Sequence, residues 1–116
     1  MKIIFYCILL CYNLLFSVTD TPGTFKIVRI HYDGGGDWYS DPSSIPNLLK
    51  FIGDNTNISI DLEEKRAKIG ENIFLNNGYY YLTGHGNIIF SEEEAQLLRE
   101  QLLSGAFLHA DDNYGM

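Results

Sequence analysis

Short runs of apolar and β-branched residues recur along this chain, separated by clusters of glycine, asparagine and aspartate. Runs of this length, bounded by turn-forming residues, are typical of buried β-strands. The pattern predicts four strands, at residues 25–31, 58–60, 79–83 and 106–111.

Between the first two strands, the apolar positions change to a helical spacing. This helix is predicted to begin at Ser43 or Ser44, with Ser44 as the N-cap and Pro46 in the first turn, and to end at Gly53. Its buried stripe is predicted to consist of Ile45, Leu48, Leu49 and Ile52.

A second helix is predicted before the fourth strand. Ser91 and Glu94 have the spacing of a capping box, with Ser91 as the N-cap, and Gly105 ends the helix. Its predicted buried stripe consists of Ala95, Leu98, Leu102 and Leu103. Residues 62–77 predict only a short helix or a 3₁₀ turn, whose core contacts would be Ile69, Ile73 and Phe74.

Strands that alternate with helices predict an α/β domain with a parallel sheet and right-handed crossovers. The last strand of such a sheet normally has a neighbour, and an apolar strand at an open edge is an aggregation hazard. We therefore expect this sheet to be truncated after its fourth strand. The missing C-terminal half of the domain, or a partner chain, would cover that strand.

The N-terminus has the pattern of a secretory signal peptide. Lys2 precedes an apolar run over residues 3–16, and Ser17 and Thr19 stand at positions −3 and −1 of a cleavage site before Asp20. The run is shorter than the ~20 residues that cross a bilayer. We predict a signal peptide at residues 1–19, or alternatively an uncleaved membrane anchor, and one domain over residues 20–116. The protein would be exported, either periplasmic or extracellular.

Both cysteines, Cys7 and Cys11, lie in this predicted signal peptide. A mature chain without cysteine excludes disulfides, thiolate catalysis and cysteine-bound metals. Without Lys2, seven basic residues remain against fifteen acidic ones. This balance argues against a nucleic-acid partner, which requires clustered Lys and Arg. Cations or neutral polymers such as sugars are more compatible partners.

All three histidines, His31, His85 and His109, stand at or just after the end of a predicted strand. Loops at the carboxyl ends of parallel strands form the ligand crevice of open α/β sheets. His85 lies between Gly84 and Gly86, and it would be either a general acid or base or part of a tight turn that bonds the main chain. The side chains predicted to converge there are Asp33, Asp37, His85, His109, Asp111 and Asp112.

His109 and Asp111 lie on one face of an extended strand. Together with Asp112 they predict a site for a divalent metal such as zinc, manganese or iron, in which His109 could also take part in catalysis. The alternative is that His109 is a satisfied core histidine and that the two aspartates cap a following helix.

The glycine-rich loop after the first strand contains Gly34, Gly35 and Gly36, whose N–H groups could bind an anion. It lacks the lysine and the spacing of nucleotide-binding loops. Trp38 follows and would either stack on a sugar ring at the rim of the crevice or pack the loop against the sheet. We count Gly34–Gly36, Asp33, Asp37, Trp38, Gly84 and Gly86 as candidate ligand-binding residues.

The motifs GGGDWY, LTGHG and FLHADDNYG, in this order, resemble the N-terminal half of the bacterial domain-of-unknown-function family 4159. The resemblance covers roughly residues 25–116. It implies a flavodoxin-like parallel sheet similar to that of class I glutamine amidotransferases, in a bacterial envelope protein. The amidotransferase cysteine is absent from the corresponding residues, 109–113, which argues against a glutaminase.

Two hypotheses of function follow. The first is a non-catalytic ligand-binding or assembly module of the bacterial envelope, with an envelope or membrane protein as a partner. The second is a metal-assisted hydrolase in which His85 or His109 is the acid or base and the aspartates bind the metal. No serine stands in a GxSxG motif, so a serine hydrolase of that type is disfavoured.

Overall fold

The computed structural model describes residues 23–113. The predicted signal peptide, residues 1–19, lies outside the described residues and stays a prediction. Within residues 23–113, no helix is both long and apolar enough to cross a membrane.

Four parallel strands form one sheet in the order β2-β1-β3-β4. The strands are β1 (Val28–Ile30), β2 (Lys65–Ala67), β3 (Tyr79–Gly84) and β4 (Phe107–Asp112). The predicted α/β class and parallel sheet are thereby confirmed, and the strand order is consistent with a flavodoxin-like fold. From β1 the chain passes to β2 on one side of β1, and it then crosses to β3 on the other side. The direction of the connections reverses between β1 and β3, so the topological switch point lies between these two strands.

Helices cover both faces of the sheet: α1 (Ser44–Asn55) on one, and α2 (Asn72–Leu75) and α3 (Glu92–Leu103) on the other. Side chains of successive strand residues point to opposite faces. The α1 face therefore receives one alternating set, and the buried residues there are Ile27, Tyr81, Ile45 and Leu49. The opposite face receives the other set, which includes Val28, Ile30, Tyr80, Leu82, Phe74 and Leu98.

The predicted second strand is wrong. Residues 58–60 form no strand, and Ile60 makes only a single bridge to Phe25. The strand that pairs with β1 is Lys65–Ala67, in a segment predicted to contain a helix or a turn. Its residues are mostly charged, because β2 is a short edge strand in which only Ala67 is buried. A search for apolar runs cannot find such a strand.

The predicted start of α1 at Ser43 or Ser44 is confirmed, but the predicted N-cap and the predicted end are displaced. The N-cap is Ser43, and Ser44 is the first helical residue, whose hydroxyl donates to the carbonyl of Asp41 at 2.8 Å. Gly53 does not end the helix, which continues to Asn55. A β-carbon at Gly53 would approach the side chain of Ile60 to 2.7 Å, so the glycine permits close packing.

The capping box at the start of α3 is confirmed. Ser91 Oγ accepts from the main-chain N–H of Glu94 at 3.1 Å, and Glu94 Oε2 accepts from that of Ser91 at 2.8 Å. The predicted buried stripe is largely wrong, since Leu98 is its one buried member and Leu103 is 76% exposed. The helix is turned so that Leu97 and Leu98 meet the sheet.

Between β2 and β3, the two predicted core contacts Ile69 and Phe74 are buried. The third, Ile73, is 49% exposed and the prediction is wrong there. α2 spans a single turn, so only one of two adjacent residues can face the sheet, and Phe74 occupies that position.

Candidate functional site

Two loops meet at the switch point, directly beyond the carboxyl ends of β1 and β3. They are the glycine-rich loop and the loop around His85, both of which were predicted from the sequence to form the site. Because the loops run side by side, main-chain hydrogen bonds join them. The three bonds are Ile89 N–H to Asp33 O (2.8 Å), Gly36 N–H to Asn87 O (3.2 Å) and Asp37 N–H to His85 O (3.2 Å).

The carboxylate of Asp37 binds His85 with both oxygens. Oδ1 accepts from the main-chain N–H of His85, and Oδ2 lies 3.0 Å from its Nδ1. An ionised carboxylate only accepts hydrogen bonds, so Nδ1 carries the proton. In the neutral ring, Nε2 is then an unprotonated acceptor. The His85 side chain is 58% exposed and can present this nitrogen to a ligand.

The same contacts shift the ionisation of the site. The main-chain N–H of His85, and after it the imidazole, lower the pKa of the Asp37 carboxyl, because both stabilise the carboxylate. Below the pair, burial raises the pKa of the Tyr32 phenol, and the negative charge of Asp37 adds to this effect. The Tyr32 hydroxyl donates to the carbonyl of Thr83 at 3.0 Å and stays neutral.

The lowered pKa of the Asp37 carboxyl predicts how the stability of the fold changes at acid pH. The contacts of Asp37 stabilise the fold above the ordinary aspartate pKa of about 3.9, and this contribution is lost as the pH falls through the depressed value. We expect Asp37→Asn to unfold at lower urea concentration than the wild type at pH 6, with a difference that shrinks toward pH 3. Asp54→Asn, which removes an exposed carboxylate from α1, controls for net charge. A difference that is constant over pH would contradict the prediction.

The glycines around the pair mostly allow the loops to pack. A β-carbon on Gly34 would lie 2.8 Å from Asn87 O, and one on Gly36 would lie 2.7 Å from the Tyr32 ring. Gly84 has φ +145°, and a β-carbon there would overlap the Tyr32 hydroxyl. Of the other two candidate ligand-binding glycines, Gly86 packs against Gly36, while Gly35 faces open space.

Trp38 lies half-buried against the core, with its ring stacked on His31 at 4.1 Å between centroids. This position agrees with the packing alternative for Trp38. The adjacent Tyr39 is exposed instead, so it is the aromatic ring that a ligand at the loop can reach.

Three of the predicted site residues do not join the Asp37–His85 pair. Asp33 forms an ion pair with Lys68 Nζ at 3.2 Å, on the side of the loop that faces the segment after β2. His109 pairs in register with Tyr81, in the middle of β4 and not at its end, and its Nδ1 lies 3.2 Å from Tyr79 Oη. Asp111 Oδ2 accepts from the Tyr81 hydroxyl at 3.1 Å.

The predicted metal set of His109, Asp111 and Asp112 is not assembled. Alternation along β4 places the Asp112 side chain on the opposite face from the other two. Within residues 23–113, no group of three or more His, Cys, Asp or Glu side chains is arranged to hold a metal ion.

Two polar residues that organise the site were not among the candidates selected from the sequence. Asn113 Nδ2 lies within 3.2–3.4 Å of Ser40 Oγ, Asp41 Oδ2 and Thr83 Oγ1, and thus ties the end of β4 to the switch point. Arg29 is wholly buried below the glycine-rich loop. A charged residue inside an otherwise apolar strand was the available signal for Arg29.

A search of curated proteins found no relative of this chain. A family model described as a domain of unknown function, DUF4159, matches residues 26–116, which include every described strand and helix and both loops of the site. The chain therefore belongs to the DUF4159 family.

Proposed function

We propose that this chain is an exported bacterial domain that binds a small polar ligand at the switch point between β1 and β3. Its fold would be the flavodoxin-like type seen in class I glutamine amidotransferases, without the nucleophilic cysteine. The strand order supports this class. The charged start and apolar run of residues 1–16 support export.

One observation carries the binding proposal. Asp37 Oδ2 accepts from Nδ1 of His85 and so fixes the tautomer and orientation of the imidazole, while Oδ1 accepts from the main-chain N–H of the same residue. The imidazole is nevertheless more than half exposed. Ordering an exposed side chain costs conformational entropy, so an exposed ring that is already ordered is suited to binding. The pair also lies where ligands bind in open α/β sheets.

The chemistry around the pair favours a neutral ligand with hydroxyl groups. His85 Nε2 offers an acceptor for a hydroxyl, and the exposed ring of Tyr39 and the open backbone at Gly35 lie on the neighbouring loop. Aromatic rings stack on the apolar faces of sugars. The net charge of −7 disfavours anionic ligands.

The test is an NMR titration of the full chain with N-acetylglucosamine and its β-1,4-linked trimer. We expect shift changes confined to Gly35, Tyr39, His85 and Gly86. His85→Phe should weaken the binding at least tenfold, because an aromatic ring is kept but the acceptor at Nε2 is lost. His109→Phe is the matched control and should bind as the wild type does, since His109 lies in the middle of β4.

Two results would overturn this proposal. One is a wild-type chain that shows no saturable shift with either sugar. The other is equal weakening by the two histidine variants, because His109 is remote in register from the loops at the switch point.

The same pair favours a second candidate function, a hydrolase in which His85 is the general base. Carboxylate-bound Nδ1 and an outward Nε2 are the arrangement of His and Asp in hydrolytic triads. A positioned base of this kind contributes about 10²–10⁴-fold to a rate. Hydrolysis of p-nitrophenyl acetate should then fall to background in His85→Gln and in Asp37→Asn and persist in His109→Gln. Equal rates in all four proteins would exclude this candidate for that ester.

A further inference from the structure

We propose that Arg29 is the positioning residue of the Asp37–His85 pair. The inference rests on the proposed function, since the pair needs positioning only if His85 binds a ligand. The way in which Arg29 positions the pair is argued from its contacts. The side chain of Arg29 extends from the middle of β1 toward the α1 face and is 0% exposed.

The guanidinium of Arg29 holds the segment that follows Asp37. A guanidinium has five N–H donors, and five hydrogen bonds are formed. Nε binds Glu64, and the two Nη atoms bind four acceptors in the loop and at the start of α1. These four are the carbonyls of Trp38 (3.3 Å), Ser40 (2.8 Å) and Asp41 (3.2 Å) and the hydroxyl of Ser44 (3.3 Å).

Arg29 itself is held in place by Glu64 and by the ring of Tyr81. Glu64 Oε1 lies 2.6 Å from Nε, and the Glu64 side chain is only 5% exposed. The ring of Tyr81 lies 5.2 Å from the guanidinium carbon, in cation–π contact. A planar guanidinium held at five donors has one geometry, so the three carbonyls that it binds are held in one geometry as well.

The glycine-rich loop requires such an anchor. Gly34 and Gly35 both have positive φ, and glycine loses more backbone entropy on folding than any other residue. Asp37 follows them after one further glycine, Gly36. Its carbonyl accepts from the N–H of Ser40 at 2.8 Å, in the same turn that Arg29 holds through the Ser40 carbonyl. Arg29 therefore limits the positions that the Asp37 carboxylate can take.

Arg29 cannot bind the ligand itself, because it is inaccessible and all its donors are occupied. Its effect must pass through the loop, and it can be read on His85 without any ligand. If Arg29 positions Asp37, its loss frees the imidazole of His85 from the Nδ1–H tautomer. If Arg29 only stabilises the fold, the folded molecules of a variant keep that tautomer.

The experiment is ¹⁵N NMR of the histidine side chains of the full chain at neutral pH. We expect His85 to be the Nδ1–H tautomer in the wild type and to shift toward the Nε2–H form of free imidazole in Arg29→Lys, which keeps the charge but loses the planar fork. Asp37→Asn marks the spectrum of a broken pair. Phe74→Leu, which destabilises the opposite face of the sheet, should keep the wild-type tautomer.

Glu64→Gln is the second variant if Arg29→Lys does not fold, because it keeps an acceptor for Arg29 while removing the charge that holds it. A smaller shift in the same direction is expected. A folded Arg29→Lys chain, or in its place a folded Glu64→Gln chain, with the wild-type tautomer would overturn the positioning role. Failure of the sugar titration with the wild-type tautomer present would overturn only the proposed function.

Discussion

Phe74→Ala is expected to lower the free energy of unfolding by about 3–5 kcal/mol, the usual cost of removing a buried aromatic side chain. Phe74 is 0% exposed and stacks on Tyr80 at 4.3 Å between ring centroids. Since small domains are stable by only about 5–15 kcal/mol, much of the total would be lost. Urea unfolding followed by circular dichroism measures the change.

The neighbouring residue provides the control. Ile73 lies on the same turn of α2 but is 49% exposed, so Ile73→Ala should cost less than about 1 kcal/mol. Equal losses in the two variants would mean that α2 is rotated relative to the orientation described, with Ile73 in the core.

Gly84→Ala is expected to be the most damaging single substitution at the site, with a loss of about 2–6 kcal/mol in the free energy of unfolding. Backbone strain at a φ that side chains avoid contributes about 1–3 kcal/mol, and overpacking contributes a similar amount. The new methyl group would overlap the Tyr32 hydroxyl and lie 3.0 Å from Asp37 Oδ1. Urea unfolding gives the loss, and the ¹⁵N spectrum of His85 reports the displaced pair.

Gly35→Ala separates strain from overlap. Gly35 also has positive φ, at +86°, but nothing lies within 4 Å of its added β-carbon. It should lose only about 1–2 kcal/mol and keep the His85 spectrum of the wild type. A Gly35→Ala chain as unstable as Gly84→Ala would mean that the steric contact with Tyr32 contributes nothing.

The sequence predicted those elements whose own residues carry the signal. β1 and β3 are mostly buried and apolar, and Ser91 and Glu94 mark the start of α3 locally. β4 has no buried residue and was found from its apolar residues Phe107, Leu108 and Ala110. β2 was missed because its identity depends on pairing with β1 and not on its own hydrophobicity. The orientation of α3 was also missed. It depends on which side chains pack against the sheet, and the spacing of the apolar residues along the helix does not determine this.

For the site, the two loops were predicted correctly from the sequence, but the contact between Asp37 and His85 was not. Asp37 and His85 are 48 positions apart, and nothing in either segment distinguishes Asp37 from Asp33 as the partner of His85. The strand order places the two loops side by side, and the hydrogen bonds between them decide the partner, because they place Asp37 beside His85 and Asp33 beside Ile89. The charge of Arg29 inside an apolar strand was a signal, but its role was missed because three of its five hydrogen-bond acceptors are main-chain carbonyls, which residue types do not reveal.

The hydrogen bonds that join these two loops, which are distant in sequence, have a consequence for the rate of folding. Contacts between residues far apart in sequence reduce the conformational entropy of the long loop that they close, and this loss comes before the contacts stabilise the chain. Such contacts therefore slow folding. The hydrogen bonds between residues 33–37 and 85–89 can form only after β1 has found β3 across the intervening α1, β2 and α2. The ordered imidazole of His85 should therefore appear late in refolding, together with the final cooperative step, and not in any early collapsed species.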